Sequence, residues 1–164
     1  MKKLLCMILC LCLSLCVISC TQKKATAEEI LGGIMSELKD LPKGKIYHSG
    51  ADEGSEEFLS ADIAESLYGK TAKSKLSLVK DFAIYVSSFA SPCEIGVFIC
   101  YSSSDALKIE RMCRERADVL LVALRESDLC SLDLNAALVR KGRKVVFAMT
   151  DGSSRTEKII KRFI

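Results

Sequence analysis

The sequence predicts a single α+β domain with a four-stranded antiparallel or mixed sheet whose helices lie mainly on one face. Three observations predict this fold. Two pairs of short apolar segments are each joined by a turn signal, Pro92 in the first pair and Gly142 in the second. A long amphipathic stretch separates the two pairs, and further amphipathic stretches precede the first and follow the second. Two hairpins joined by a long helix account for this order.

The first twenty residues have the pattern of a secretion signal. Lys2 and Lys3 form a positive start, and the apolar run over residues 4–18 is interrupted only by Ser14. That run is shorter than the roughly 20 apolar residues that a membrane-spanning helix needs. We therefore expect a signal peptide over residues 1–19 and no permanent transmembrane helix.

The end of this segment, residues 17–20, resembles the lipobox of bacterial lipoproteins. Cys20 follows the small residue Ser19, whereas the other four cysteines of the segment each follow a bulky leucine. The resemblance implies a diacylglycerol group on the Cys20 sulfur, and each buried methylene adds about 0.8 kcal/mol of membrane binding. We expect residues 20–25 to tether the domain to the extracytoplasmic face of the cell membrane. The alternative is an ordinary secreted protein that is cleaved nearby.

The domain itself is expected over residues 26–164, enough for one core and short for two. Residues 26–29 have the pattern of a capping box and predict a helix to about residue 40. Residues 45–48 have the pattern of a short strand. Residues 58–68 predict a second helix that ends at Gly69, a glycine in the C-terminal cap position.

The second half begins with predicted strands over residues 82–87 and 93–101. A long helix over residues 106–124 is expected to be capped by Ser103 or Ser104. Strands over residues 132–139 and 145–150 and a final basic helix over residues 155–163 complete the prediction. The core stripe predicted for the long helix consists of Ile109, Cys113, Ala117, Leu120 and Leu124.

Charge and metal-binding residues give weak functional signals. The 24 Lys and Arg residues include Lys2 and Lys3, so the mature chain has 22 against 21 acidic residues, and no nucleic-acid partner is expected. The acidic loop around Asp52 and Glu53 lacks the alternating ligands of an EF-hand, and His48 is the one histidine of the chain. We therefore predict no metal, cofactor or catalytic residue.

Four cations surround the second hairpin turn: Arg140, Lys141, Arg143 and Lys144. They are candidate contacts to a polyanion such as a phosphate-rich cell-wall polymer or lipid headgroups. A solvated hairpin tip explains them as well.

The cysteines beyond Cys20 predict buried thiols and not a metal or redox site, because none of them forms a Cys-x-x-Cys pair. Cys93 and Cys100 are roughly 23 Å apart on one strand and cannot bond to each other. One incidental bridge is the alternative to four free thiols, and if two disulfides form, two connectivities stay open. These are Cys93–Cys113 with Cys100–Cys130, and Cys93–Cys130 with Cys100–Cys113.

The chain resembles the bacterial lipoproteins that carry domain of unknown function 4358, known mainly from Firmicutes. The resemblance rests on the order of elements, the early helix, residues 64–69, the strand over residues 82–87, residues 94–98 and the Gly142 hairpin. The resemblance covers most of the mature chain and implies the fold and the location, with no reaction, cofactor or catalytic residue. The short connection over residues 126–131 and the thiols depart from that family.

The leading functional hypothesis is a non-enzymatic binding or assembly module at the cell surface. Its partners are the membrane, reached through the lipid on Cys20, and an envelope protein or an anionic wall polymer. The alternative is a small envelope hydrolase or transferase. A deep polar pocket that gathers His48, Asp52 and Glu53 favours the enzyme, whereas an exposed apolar patch favours a protein partner.

Overall fold

The computed structural model describes residues 24–38, 41–88, 93–126 and 134–164. The helices and strands are α1 Ala27–Glu37, β1 Gly44–His48, α2 Ala61–Tyr68, α3 Ala72–Leu76, β2 Val79–Ser87, β3 Glu94–Cys100, α4 Ser103–Arg125, β4 Leu134–Lys141, β5 Lys144–Asp151 and α5 Ser153–Phe163. Cys20, the signal segment, Pro92 and Cys130 lie outside the described residues.

The strands form one open antiparallel sheet in the order β1-β2-β3-β5-β4. The α+β class and both predicted hairpins are confirmed. Gly142 has a positive φ of 60° in the two-residue turn between β4 and β5, as a tight hairpin requires. The predicted number of strands is wrong, because the short strand β1 pairs with β2 along all five of its residues and becomes the fifth strand.

The prediction that helices lie mainly on one face is also wrong, because α2, α3 and α4 cover one face and α1 and α5 cover the other. Neighbouring residues on the central strands explain this arrangement. Val97 and Phe98 point to opposite faces of β3, and both are fully buried. An apolar side chain on each face needs a covering layer, so the domain has three layers with the sheet in the middle.

Side-chain caps set where α1, α2 and α4 begin. Thr26 and Glu29 form the predicted capping box of α1, in which the Thr26 hydroxyl accepts from the Glu29 amide at 3.1 Å. Helix α4 starts three residues before the predicted position, because Ser102 and neither Ser103 nor Ser104 accepts from the Asp105 amide. Ser60 likewise caps α2, which therefore begins at Ala61 and not at residue 58.

Cys93, Cys100 and Cys113 are buried free thiols, as predicted. Each of the two disulfide connectivities predicted from the sequence includes a bridge between two of these cysteines. Both predicted connectivities are therefore wrong. The whole predicted core stripe of α4 is buried as well. Among the described residues, no helix is long and apolar enough to cross a membrane.

Candidate functional site

A cavity of about 760 Å³ lies at the β1 edge of the sheet, between the sheet and helix α2. Lys45 of β1 pairs with Val86 of β2, so both side chains project from the same sheet face and line the cavity. Ile63 and Leu67, one turn apart on α2, form the opposite wall. We call this space the Arg116 cavity, because Arg116 of α4 lines it from the interior of the domain.

The described wall of the Arg116 cavity combines apolar side chains with cations and hydroxyls. Lys43, Lys45 and Arg116 are its positive residues, and no carboxylate or imidazole belongs to the described lining. Gly44 allows β1 to run close to β2 at this point, since a Cβ there would lie 2.4 Å from the Val86 carbonyl oxygen. The cations of the wall therefore lie beside the edge strand β1, where it packs closely on β2.

Behind the cavity, a buried carboxylate fixes the position of Arg116. Glu94 of β3 is 1% exposed, and its Oε2 accepts from Arg116 Nε at 2.9 Å and Nη2 at 2.7 Å. The second oxygen, Oε1, accepts from the Tyr68 hydroxyl of α2 at 3.1 Å. A strand and two helices thus meet at one ionic network, which also joins α2 and α4 to the sheet.

Packing around the network holds Tyr68 in place. The Tyr68 ring meets Phe98 edge to face, with ring centroids 6.0 Å apart. Gly96 makes room for this pair, because a Cβ at Gly96 would lie 2.7 Å from the Phe98 ring and 3.6 Å from the Tyr68 hydroxyl. The small residue on β3 is therefore a packing requirement of the network.

Burial dominates the protonation chemistry of these groups. Loss of water raises the pKa of Glu94, and the contacts with Arg116 and Tyr68 oppose that rise. Burial and the neighbouring Glu94 carboxylate also raise the pKa of the Tyr68 hydroxyl, so Tyr68 is a hydrogen-bond donor at neutral pH. Glu94 itself does not line the Arg116 cavity. The network can orient a guanidinium toward a ligand, and it presents no acid to that ligand.

His48, Asp52 and Glu53, whose meeting in a polar pocket would favour an enzyme, are not part of the described lining of this cavity. His48 pairs with Ala83 and projects from the opposite sheet face, where its ring lies 3.4 Å from Glu57 and 3.8 Å from Glu28. Asp52 and Glu53 are exposed in the following loop. Within the described parts of the chain, no group of three metal-binding side chains is close enough to hold an ion.

The four cations of the β4–β5 turn are divided between the two faces of the hairpin. Arg140 donates to Glu110 of α4 at 2.7 Å, whereas Lys141 donates to the Ile164 carbonyl oxygen at 2.6 Å. Arg143 contacts the Tyr101 carbonyl oxygen at 3.4 Å, and Lys144 is half-buried. Polyanion binding by this turn stays a prediction.

Sequence reasoning missed the Glu94–Arg116 pair, although one signal for it was present. Glu94 interrupts a strand that is otherwise apolar and was expected inside the sheet, where a charge needs a partner. Arg116 lies three residues after Cys113 and four before Leu120, which places it on the predicted core stripe. An acidic residue on a buried strand and a basic residue on the core stripe of a helix together indicate a buried ion pair.

Comparisons with protein-family models, with curated proteins and with solved structures gave no match for this chain. Its resemblance to the lipoprotein family that carries domain of unknown function 4358 stays a prediction from the sequence.

Proposed function

We propose that the protein is a lipid-anchored binding module on the extracytoplasmic face of the cell membrane, and that the Arg116 cavity is its ligand site. The cavity itself carries the proposal. Its volume of about 760 Å³ falls within the range of small-molecule sites, and its described wall is mainly apolar with a few polar groups. Such a lining binds an apolar body and orients it through a few directed contacts.

The chemistry of the wall favours recognition over hydrolysis. Histidine and carboxylate side chains are the commonest general acids and bases, and neither type belongs to the described lining. Glu94, the carboxylate that pairs with Arg116 behind the wall, is held by Arg116 and Tyr68 and is not part of the described lining. The cations of the wall supply binding contacts in its place.

The proposed anchor fits a module that works beside the membrane. Cys20 precedes Thr26, the N-cap residue of α1, by only six positions. At no more than about 3.6 Å per extended residue, this tether spans roughly 20 Å. A domain so held stays at the membrane surface, where a binding module for that compartment would work.

A cavity-filling variant tests this function. Ile63→Trp places an indole in the Arg116 cavity, and Val122→Trp adds the same side chain on the exposed face of α4 as the matched control. Tagged full-length chains are purified from membranes, and the small molecules that they release are identified by mass spectrometry. We expect the wild type and Val122→Trp to carry the same compound and Ile63→Trp to lose it.

The natural chain has no Trp, so the emission of each introduced indole reports its surroundings directly. Blue-shifted emission from Ile63→Trp verifies that the cavity is filled. Equal retention of small molecules by all three chains, or retention by none of them, would contradict the proposed site.

A further inference from the structure

We propose that the ligand of the Arg116 cavity is a small organic anion with an apolar body, whose acidic group is bound by Arg116 and Lys43. This inference rests on the proposed binding function and names the class of ligand. It is carried by the fixed guanidinium, the sign of the charges along the described wall and the apolar surface opposite them.

Arg116 is oriented before any ligand arrives. Both of its contacts to Glu94 end on the same oxygen, Oε2, at 2.9 and 2.7 Å, and they use two of the five N–H donors that a guanidinium carries. The side chain is 12% exposed and lines the cavity. A planar, fixed donor group suits the paired oxygens of a carboxylate or a phosphate better than a hydroxyl or an amine.

Positive charge dominates the described wall even after its ion pairs are considered. Glu94 balances Arg116 from behind, so Arg116 contributes directed hydrogen bonds more than net charge. Lys45 lies 3.6 Å from Glu56, but both groups are largely exposed and water screens this pair. Lys43 has no ion-pair partner among the described residues. The cavity therefore attracts an anion and disfavours a cation.

The apolar part of the ligand would lie between α2 and the sheet. Ile63 and Leu67 face this space from the helix, and Val86 and Tyr47 face it from the strands. Burying apolar ligand surface there stabilises the complex by about 25 cal/mol per Å² removed from water. An inorganic anion alone forfeits that contribution, so the acidic group and the apolar body are both required.

Equilibrium dialysis of the full chain in nanodiscs of zwitterionic lipid tests the ligand class. The probes are 4-phenylbutyrate, 4-phenylbutyl phosphate, 4-phenylbutanol, 4-phenylbutylammonium and inorganic phosphate. The probe bound by nanodiscs that carry the Ile63→Trp variant is subtracted from the probe bound by wild-type nanodiscs. This subtraction corrects for partition of the probe into the lipid. We expect one or both organic anions to bind at least about tenfold tighter than the alcohol, and the ammonium and inorganic phosphate not to bind measurably. The comparison of the two organic anions distinguishes a carboxylate ligand from a phosphate ligand.

A charge reversal tests the residues. Lys43→Glu should weaken the binding of the preferred anion by about fivefold and leave the alcohol unaffected. Lys80→Glu, which reverses an exposed lysine of β2 outside the described lining, is the matched control and should bind like the wild type.

The outcomes separate this inference from the function on which it rests. If the alcohol binds as tightly as the anions and Ile63→Trp abolishes its binding, the cavity is a ligand site but the ligand class is wrong. If Lys43→Glu and Lys80→Glu weaken anion binding equally, the assignment of Lys43 is overturned. If no probe depends on Ile63, both proposals fail.

Discussion

The buried ion pair between Glu94 and Arg116 predicts a large loss of stability when the arginine is removed. Arg116→Met keeps an unbranched apolar side chain on α4 but removes both N–H donors from Glu94, which is 1% exposed. The Tyr68 hydroxyl is then the remaining side-chain contact of that carboxylate among the described residues. Breaking a buried pair from one side costs about 3–5 kcal/mol, a large part of the roughly 5–15 kcal/mol that stabilises a typical domain.

The same variant should depend on pH in a defined direction. Burial raises the pKa of Glu94, and Arg116 is the largest opposing influence, so Arg116→Met raises that pKa further. A carboxyl group with a higher pKa in the folded state binds its proton more tightly when folded. The contribution of Glu94 to stability is then greatest below its unfolded pKa of about 4.3. It is lost as pH rises through the pKa of Glu94 in the folded state. The deficit of Arg116→Met should therefore be smaller near pH 4 than near pH 7.

Urea unfolding followed by circular dichroism measures both effects. Arg114→Met is the matched control, because Arg114 is exposed on the same helix and lies 3.5 Å from Glu110, a pair expected to contribute less than about 1 kcal/mol. The double variant Glu94→Leu with Arg116→Met removes the buried charge together with its partner and should recover most of the stability. An Arg116→Met deficit within about 1 kcal/mol of the Arg114→Met deficit at pH 7 would refute the reasoning.

Three further predictions concern other parts of the chain. Asp81→Ala removes acceptors for the Ala27 amide and the Ser49 hydroxyl and should cost about 1–3 kcal/mol in urea unfolding, whereas an unchanged midpoint would contradict this role. Burial raises the pKa of Cys93 to about 12 and that of Cys100 to about 11, so at pH 8 both thiols should resist Ellman's reagent in the native state and react after denaturation. Rapid native labelling of either thiol would argue against its burial. Cys20→Ala should abolish incorporation of radiolabelled palmitate, and continued labelling with membrane fractionation would show that the lipidation site is wrong.

Local pattern predicted the elements of this fold better than their assembly. Two apolar segments joined by a short turn, with Pro92 in the first pair and Gly142 in the second, predicted hairpins from neighbouring residues alone. Both hairpins are present. Residues 45–48 had a strand pattern, but whether they join the sheet depends on pairing with β2 more than thirty positions away. Helix α3 spans five residues, too few to show a helical period.

The two covered faces of the sheet could have been predicted from β3 itself. Its residues are apolar at consecutive positions, and such a strand is buried on both faces. A layer of helices on one face alone would leave one of the neighbours Val97 and Phe98 in water. The sequence pattern predicted helices mainly on one face, whereas the composition of the central strand already required a covering layer on both faces.

A polar residue inside an apolar segment indicated the candidate site better than a cluster of like charges did. Arg140 and Lys141 stand out in the sequence, yet their contacts are with Glu110 and with the Ile164 carbonyl oxygen, as expected of structural surface residues. Glu94 attracts less notice, but a carboxylate on a buried strand is costly unless a cation is fixed beside it. That requirement brings Arg116 to the inner wall of the cavity. The void in front of Arg116 arises from the spacing between α2 and β1, which no local pattern encodes, so its position required the structure.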